Sequence, residues 1–391
     1  MTKKIISFSF FIFIFLSCQT DVQPKVERLD KTKSDQIDEL AQRYLSLNRF
    51  SGAIVLAKGG EIVYDQNVGL ADYQNQRPFS NTTAFKVGEL TKLLTENLID
   101  NLAKQGKLQR TDSISQHLPE LPSNWTIQDV LKYKGRQSGG GATAKDTSDY
   151  NTLGKLIEQL SGKTYQENIE QYSKELDLEN TYFQKADSSI AVGYLYHNYR
   201  GRGLELQKSP VINLQDAFSS KGLKSTPRDL LKVLKSNPSE VQIDGYLEND
   251  GFSYSLLNRP TDGLTIIILS NRRHPVAKEM SDSIEAILKG EKYKLPLARE
   301  PFPVDPNLLD SYSGRYALNE NMSFEVVHEN DSLFVLLGPN KVALIPQSDD
   351  QFYMQENDAA MRFEKDSTAL VHKVVLLNGF VDSNQEAIRI E

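Results

Sequence analysis

Glu89 and Lys92 lie three residues apart in the segment Phe-Lys-Val-Gly-Glu-Leu-Thr-Lys, residues 85–92, and could act as a nucleophile and a base. Apolar residues then recur at three- and four-residue steps until Gly106, which predicts a helix that begins near this pair. Side chains three residues apart share one helix face, so we expect the two charges to meet. A carboxylate is a weak nucleophile toward amides, and the resulting anhydride would gain nothing from a lysine base. We therefore interpret the two residues as an ion pair.

The segment has the pattern Phe-x-x-Gly-x-x-x-Lys, and residues 102–108 read Leu-Ala-Lys-Gln-Gly-Lys-Leu. Together these motifs resemble the serine β-lactamase and penicillin-binding-protein superfamily of serine hydrolases. That family places Ser-x-x-Lys here; its serine is acylated by the substrate and its lysine takes up the proton. In this chain Glu89 stands at the serine position, while Lys92 stands at the lysine position. The resemblance therefore implies a family scaffold without its nucleophile.

A second family motif, Tyr-x-Asn, is expected before the helix that includes residues 153–160. The sequence of residues 153–165 is similar to the family and fixes the alignment, which places the motif on Lys145-Asp146-Thr147. In active relatives the tyrosine helps to move the proton between serine, leaving group and lysine. Lys145 lacks the geometry of a phenol and adds a positive charge beside Lys92. Tyr150 lies about one helical turn further on, and we interpret it as a packing residue.

The third family motif is His- or Lys-x-Gly, whose basic residue and strand backbone hold the substrate and its oxyanion. The corresponding segment here is Ile243-Asp244-Gly245-Tyr246-Leu247, and both possible alignments, ending or beginning at Gly245, lack the basic residue. The degenerate catalytic positions are Glu89, Lys92, Lys145, Thr147 and Gly245. The residues that we expect to line the binding cleft are Glu89, Lys92, Lys145, Thr147, Tyr150, Gly245 and Tyr246.

All three motifs lack their reactive group, which predicts a catalytically inactive pseudoenzyme that binds a peptide, a cell-wall fragment or a protein partner. A second hypothesis is an active hydrolase, such as an esterase, a peptidase or a D-alanyl carboxypeptidase-like enzyme, with a relocated nucleophile. A third is a purely structural module. The hydroxyl groups that could serve as a relocated nucleophile belong to Thr91, Ser138, Ser219 and Ser220.

Other patterns in the sequence argue against further chemistry. The net charge of −7 argues against a nucleic-acid partner. The glycines at 139–141 are typical of a loop, since the Lys-Ser/Thr pair of a phosphate-binding loop is missing. We interpret the basic cluster at 272–274 as a solvated turn rather than an anion contact. No cofactor or metal is expected, because the histidines show no metal-ligand spacing; they are His117, His197, His274, His328 and His372.

The N-terminus resembles a bacterial lipoprotein signal. Two lysines precede an apolar run at residues 5–16, and Ser17 and Cys18 follow. The resemblance implies a signal peptide at 1–17 and cleavage before Cys18, which then carries lipids. Cys18 is the only cysteine, so no internal disulfide can form. We expect a polar tether at 18–33 and an exported protein, lipid-anchored in the cell envelope at the outer membrane, facing the periplasm or the exterior.

The sequence predicts two folded units, and the helices and strands of the first must position the site. Ser34 is expected to cap a first helix, and the run at 51–64 predicts a β-hairpin around Gly59-Gly60. The resemblance implies an α/β (α+β) fold for residues 34–290: a β-lactamase/transpeptidase-like antiparallel sheet flanked by helices, plus a helical subdomain. A proline-rich linker at 291–306 follows. Alternating strands at 307–391 then predict a small antiparallel barrel or sandwich, similar to the β-domain often fused behind this family.

Overall fold

The structure is a computed structural model of the 391-residue chain. It describes residues 28–121, 124–132, 144–183, 188–198, 204–210, 218–247, 250–272, 276–296, 302–337, 340–354, 359–377 and 385–390. The expected signal peptide, Cys18 and Ser138 lie outside these residues. Within the described ranges, no helix is both long and apolar enough to cross a membrane.

The first unit combines helices with a central sheet. Its helices are α1 (Lys31–Ser46), α2 (Thr91–Lys104), α3 (Ile114–His117), α4 (Ile127–Lys132), α5 (Ala144–Ser161), α6 (Tyr165–Glu175), α7 (Phe218–Lys221), α8 (Pro227–Ser236) and α9 (Val276–Lys289). Its strands are β1 (Gly52–Lys58), β2 (Glu61–Val68), β3 (Leu70–Asp72), β4 (Arg77–Pro78), β5 (Phe85–Lys86), β6 (Tyr194–Asn198), β7 (Leu204–Lys208), β8 (Lys224–Ser225), β9 (Val241–Leu247), β10 (Phe252–Arg259) and β11 (Leu264–Ser270).

Five of these strands form one antiparallel sheet in the order β2-β1-β11-β10-β9. The predicted hairpin is confirmed as β1 and β2, and β10 and β11 are paired as neighbouring strands. Successive side chains on a strand point to opposite faces, so the sheet has two apolar faces. One packs against α1 and α9 through residues such as Ile54 and Ile268. The other, which includes Tyr254 and Leu256, packs against the helical subdomain. This second face carries the candidate site.

Helix ends follow the capping chemistry of the sequence, with one correction. Thr226 caps α8 by accepting a hydrogen bond from the Asp229 N–H, and Pro227 occupies the first turn. The prediction that Ser34 caps the first helix is wrong. Asp30 does so instead, because its carboxylate accepts hydrogen bonds from the backbone N–H groups of Thr32 and Lys33. The helix therefore begins at Lys31.

The C-terminal unit is a closed eight-stranded antiparallel barrel, which confirms the barrel rather than the sandwich. A short helix precedes it, because Asp305 accepts a hydrogen bond from the Asn307 N–H and Pro306 occupies the first turn. The first strand then begins at Gly314. Its elements are α10 (Pro306–Tyr312), β12 (Gly314–Asn319), β13 (Met322–Glu329), β14 (Ser332–Leu337), β15 (Asn340–Pro346), β16 (Gln351–Tyr353), β17 (Ala360–Lys365), β18 (Val371–Leu377) and β19 (Gln385–Arg389). β19 pairs with β12 and closes the ring.

Candidate functional site

The segment that carries Glu89 turns sharply from strand into helix. Strand β5 pairs with β8, and the chain then enters a 3-10 turn, Gly88–Leu90, that leads into α2. Gly88 has a φ of +52°, a left-handed conformation that favours glycine. A Cβ at Gly88 would also lie 2.5 Å from the ring of Tyr254. The turn therefore depends on glycine, and it places Glu89 directly beside the sheet.

The carboxylate of Glu89 lies between two ammonium groups. One Oε atom is 3.5 Å from Nζ of Lys92, and the other is 4.0 Å from Nζ of Lys221. The Lys92 side chain is 8% exposed, whereas those of Lys221 and Glu89 are 20% and 22% exposed. The predicted ion pair is thus present, and Lys221 of α7 adds a second cation. Sequence spacing could not reveal Lys221, because it comes from a distant helix.

Lys92 also contacts the aromatic face of Tyr150. Its Nζ lies 4.9 Å from the ring centroid, which is cation–π geometry. Burial raises the pKa of the Tyr150 phenol, and the negative charges of Glu96 and Glu89 raise it further. Tyr150 is 2% exposed and belongs to the core, as expected for a packing residue. It presents its ring to the lysine, whereas a proton relay requires its hydroxyl.

The predicted second motif lies on helix α5. Lys145 and Thr147 fall in the first turns of α5, the helix that also carries Tyr150 and packs against α2. Their side chains lie outside the described part of the chain, as does the glycine-rich stretch at 139–141. Their predicted role in the cleft stays a prediction.

The third motif lies on β9, at the edge of the sheet. Gly245 pairs with Tyr254 of β10, and its Cβ, if present, would lie 2.5 Å from the tyrosine hydroxyl oxygen. That hydroxyl accepts a hydrogen bond of 3.2 Å from the backbone N–H of Glu89. The neighbouring Asp244 accepts one of 2.6 Å from Ser255, and Tyr246 is half-buried. β9 contains no lysine, arginine or histidine.

Comparison with known proteins agrees with this architecture. The Beta-lactamase family model matches residues 37–245, just over half of the chain. The chain belongs to the beta-lactamase family. It is 21% identical to penicillin-binding protein 4* of Bacillus subtilis (strain 168), covering 92% of this chain and all of that protein. It is 24% identical to the teichoic acid D-alanine hydrolase of Staphylococcus aureus, over 54% of this chain and 57% of that protein.

A solved structure supports the same fold. The crystal structure of FmtA from Staphylococcus aureus superimposes with a TM-score of 0.55 at 18% identity and covers 71% of this chain and 95% of that one. At this identity the likeness concerns the fold alone. The predicted resemblance and the predicted fold class, a β-lactamase-like domain followed by a small β-barrel, are both confirmed.

Within this family member, the described hydroxyl groups proposed as relocated nucleophiles are buried. Thr91 is fully buried, and its Oγ1 accepts a hydrogen bond from the Leu223 N–H at 3.2 Å. Ser219 is also fully buried and donates to the backbone oxygen of Tyr150 at 2.8 Å. Ser220 has no exposed surface. None of these three hydroxyl groups faces solvent, which disfavours attack on an incoming substrate.

The basic cluster at 272–274 corrects one expectation. Arg272 is fully buried, with its guanidinium 4.3 Å from the ring centroid of Tyr73 and 5.3 Å from that of Tyr194. The prediction of a solvated turn is therefore wrong for Arg272, because two tyrosine rings enclose it. Residues 273 and 274 lie outside the described ranges. Among the residues that the structure describes, no group of three or more metal-ligating side chains is found.

Proposed function

We propose that this chain is a catalytically silent member of the beta-lactamase family that acts by binding. One observation carries the proposal: Glu89 is the residue that the sequence resemblance aligns with the acylated serine, and its carboxylate is held between Lys92 and Lys221. A serine hydrolase needs a hydroxyl that can be acylated and a base that is ready to take its proton. Here the ammonium group of Lys92 neutralises a carboxylate instead.

The ligand class that we propose is a peptide, a cell-wall fragment or a protein partner of the envelope. The family and two relatives support this choice, since those relatives are named a penicillin-binding protein and a teichoic acid D-alanine hydrolase. Export and anchoring through a lipidated Cys18 belong to the same proposal. They rest on the N-terminal sequence, in which an apolar run ends at the single cysteine.

Covalent probes test the catalytic part of the proposal. Purified protein would be incubated with a fluorescent penicillin and, separately, with a fluorophosphonate probe that labels reactive serines. We expect no labelling above that of heat-denatured protein. Active-site labelling of the unmodified sequence would refute the proposal. The variants T91A, S138A, S219A and S220A would then show which hydroxyl reacts.

Binding is tested separately from catalysis. D-alanyl peptides and soluble wall fragments would be titrated into the protein by isothermal calorimetry. The matched variant E89A/K221A removes the two partly exposed charges of the site. We expect binding to the parent chain and a loss of at least about tenfold in affinity for the variant. Equal affinities for the two proteins would show that the ligand binds elsewhere.

A further inference from the structure

Tyr254 occupies the centre of the candidate site, between the start of α2 and strand β9. Its ring contacts the backbone of Gly88, and its hydroxyl oxygen lies against Gly245. At either glycine an added Cβ would come within 2.5 Å of the tyrosine, which is closer than real Cβ contacts allow. Two glycines on separate elements therefore make room for one side chain. Tyr254 is 2% exposed, so it is fixed in place by packing.

The hydroxyl oxygen of Tyr254 accepts a hydrogen bond from a backbone N–H that acyl-transfer chemistry would use. In serine acyl-transfer sites, the backbone N–H of the nucleophile is a common donor to the oxyanion. The equivalent donor here is the N–H of Glu89, and it already donates to the Tyr254 oxygen at 3.2 Å. A carbonyl oxygen of a ligand would have to occupy the same space as that phenol oxygen. The N–H of Glu89 and the hydroxyl oxygen of Tyr254 therefore form their hydrogen bond without a ligand.

The same hydroxyl also explains the missing basic residue of the third motif. One of the two alignments places the basic side chain at Gly245, and its Cβ would lie 2.5 Å from the Tyr254 oxygen. The phenol and a side chain at 245 therefore exclude each other. In that alignment, the tyrosine at 254 requires the glycine at 245.

We propose that Tyr254 is a specificity-determining residue that closes the carbonyl-oxygen position of this site, so that acyl groups are excluded and ligands are recognised by charge. A ligand that enters meets the partly exposed Glu89 and Lys221. The inference rests on the proposed binding function, because it concerns which ligands a site without acyl transfer accepts.

A double-substitution experiment tests the geometry by stability alone. Gly245→Ala should lower Tm by roughly 4 °C in the parent chain, because the new methyl group would lie 2.5 Å from the Tyr254 oxygen and 2.8 Å from its Cζ atom. A Tyr254→Leu background lacks both the oxygen and the ring, so the same change should lower Tm by less than half as much. The matched control is Tyr165→Leu, which removes another buried tyrosine ring of the same core. Equal Tm losses in all three backgrounds would overturn the proposal.

A labelling experiment tests the functional part. E89S provides a hydroxyl, whose oxygen would bond to the phosphorus of a fluorophosphonate while fluoride leaves and the proton passes to solvent or Lys92. Y254F vacates the volume of one oxygen atom and frees the amide hydrogen of residue 89. We expect E89S/Y254F to be labelled at least about tenfold faster than E89S and E89S/Y165F. Equal rates, including no labelling of any of them, would overturn the proposal. Labelling of the unmodified chain would instead refute the proposed function, so the two failures are distinguishable.

Discussion

At the scale of single residues, Glu89 determines the electrostatics of the site. Lys92 is nearly buried, and a buried ammonium group without an anionic partner is costly. Glu89 supplies that partner from three residues earlier in the chain, and the ring of Tyr150 supplies a second favourable contact. The pair itself is partly exposed through Glu89, so solvent screens it and its net contribution to stability is small, roughly 0–1 kcal/mol. Under the proposed function its main consequence is chemical, since Lys92 pairs with a carboxylate and has no serine hydroxyl beside it at position 89.

The first prediction concerns the substitution Glu89→Ser by itself. We expect hydrolysis of penicillins and D-alanyl esters to stay at the rate of buffer alone. A serine at 89 would still lack the tyrosine relay and the basic residue of β9, and its amide would still donate to Tyr254. The measurement is steady-state turnover, with E89Q as the control that removes the charge without adding a hydroxyl. Rapid turnover by E89S would show that the rest of the machinery is intact.

At the scale of elements, helix α9 is tied to the sheet by charge. Arg259 of β10 donates two hydrogen bonds, of 2.6 and 3.2 Å, to the two carboxylate oxygens of Glu285. Lys289 approaches the same carboxylate at 2.5 Å, one helical turn further along. Hydrogen bonding from Arg259 lowers the pKa of Glu285, and Lys289 lowers it further. The bidentate Arg259–Glu285 interaction fixes the position of α9 on the sheet face opposite the site.

The second prediction follows from the lowered pKa of Glu285. A carboxyl whose pKa falls on folding adds stability above its ordinary pKa and loses it as the pH drops through the lowered value. The free energy of unfolding of the parent chain should therefore decline below about pH 4.5, the usual glutamate range. Glu285→Gln should cost about 1–2 kcal/mol at pH 7 and show a weaker decline.

Urea titrations between pH 3 and pH 7 provide the measurement for this prediction. The matched control is Asp282→Asn on the same helix, whose carboxylate pairs only with the exposed Lys278 among the described ion pairs. If Glu285→Gln and the parent chain decline equally toward low pH, the assigned role of the Arg259–Glu285 pair is wrong.

The elements were more predictable from the sequence than the site was. Local signals identified the hairpin and the Glu89–Lys92 pair, because each depends on residues a few positions apart. Tyr254 lies 165 residues from Glu89, and Lys221 comes from another helix. The alternation of side chains along a strand shows which face of the sheet Tyr254 occupies. It does not show that the Tyr254 hydroxyl accepts a hydrogen bond from the Glu89 N–H. The burial of Arg272 could not be predicted either, because the tyrosine rings that enclose it, Tyr73 and Tyr194, are distant in the sequence.

At the scale of the whole molecule, the chain contains separate apolar cores. The barrel core is built from aromatic rings, with Tyr312 and Phe363 stacked at 4.6 Å and Phe352 in edge contact with both. Residues from 304 to 387 make up this core, whereas those of the sheet and helices before residue 296 make up the other two. We therefore expect the barrel to gain most of its stability from its own packing.

The third prediction uses that separation. Phe363→Ala should destabilise the barrel by about 3–5 kcal/mol, because the ring is fully buried. Trp125 is the only tryptophan and packs against the core of the first unit, so its fluorescence reports that unit. We expect the midpoint of the tryptophan transition in urea to stay unchanged while an earlier transition appears by circular dichroism. Leu370→Ala, at an exposed barrel position, is the control. A tryptophan midpoint that shifts with Phe363→Ala would show one cooperative unit.

Intact-protein mass spectrometry tests the central claim of catalytic silence most directly. The 391-residue chain would be incubated for hours with benzylpenicillin and with a D-alanyl thioester, and its mass recorded without quenching. The account predicts the mass of the unmodified protein with both reagents, since the residue that the resemblance aligns with the acylated serine is a carboxylate held by two lysines. A mass increase equal to the acyl group of either reagent, lost on denaturation before reaction, would contradict it.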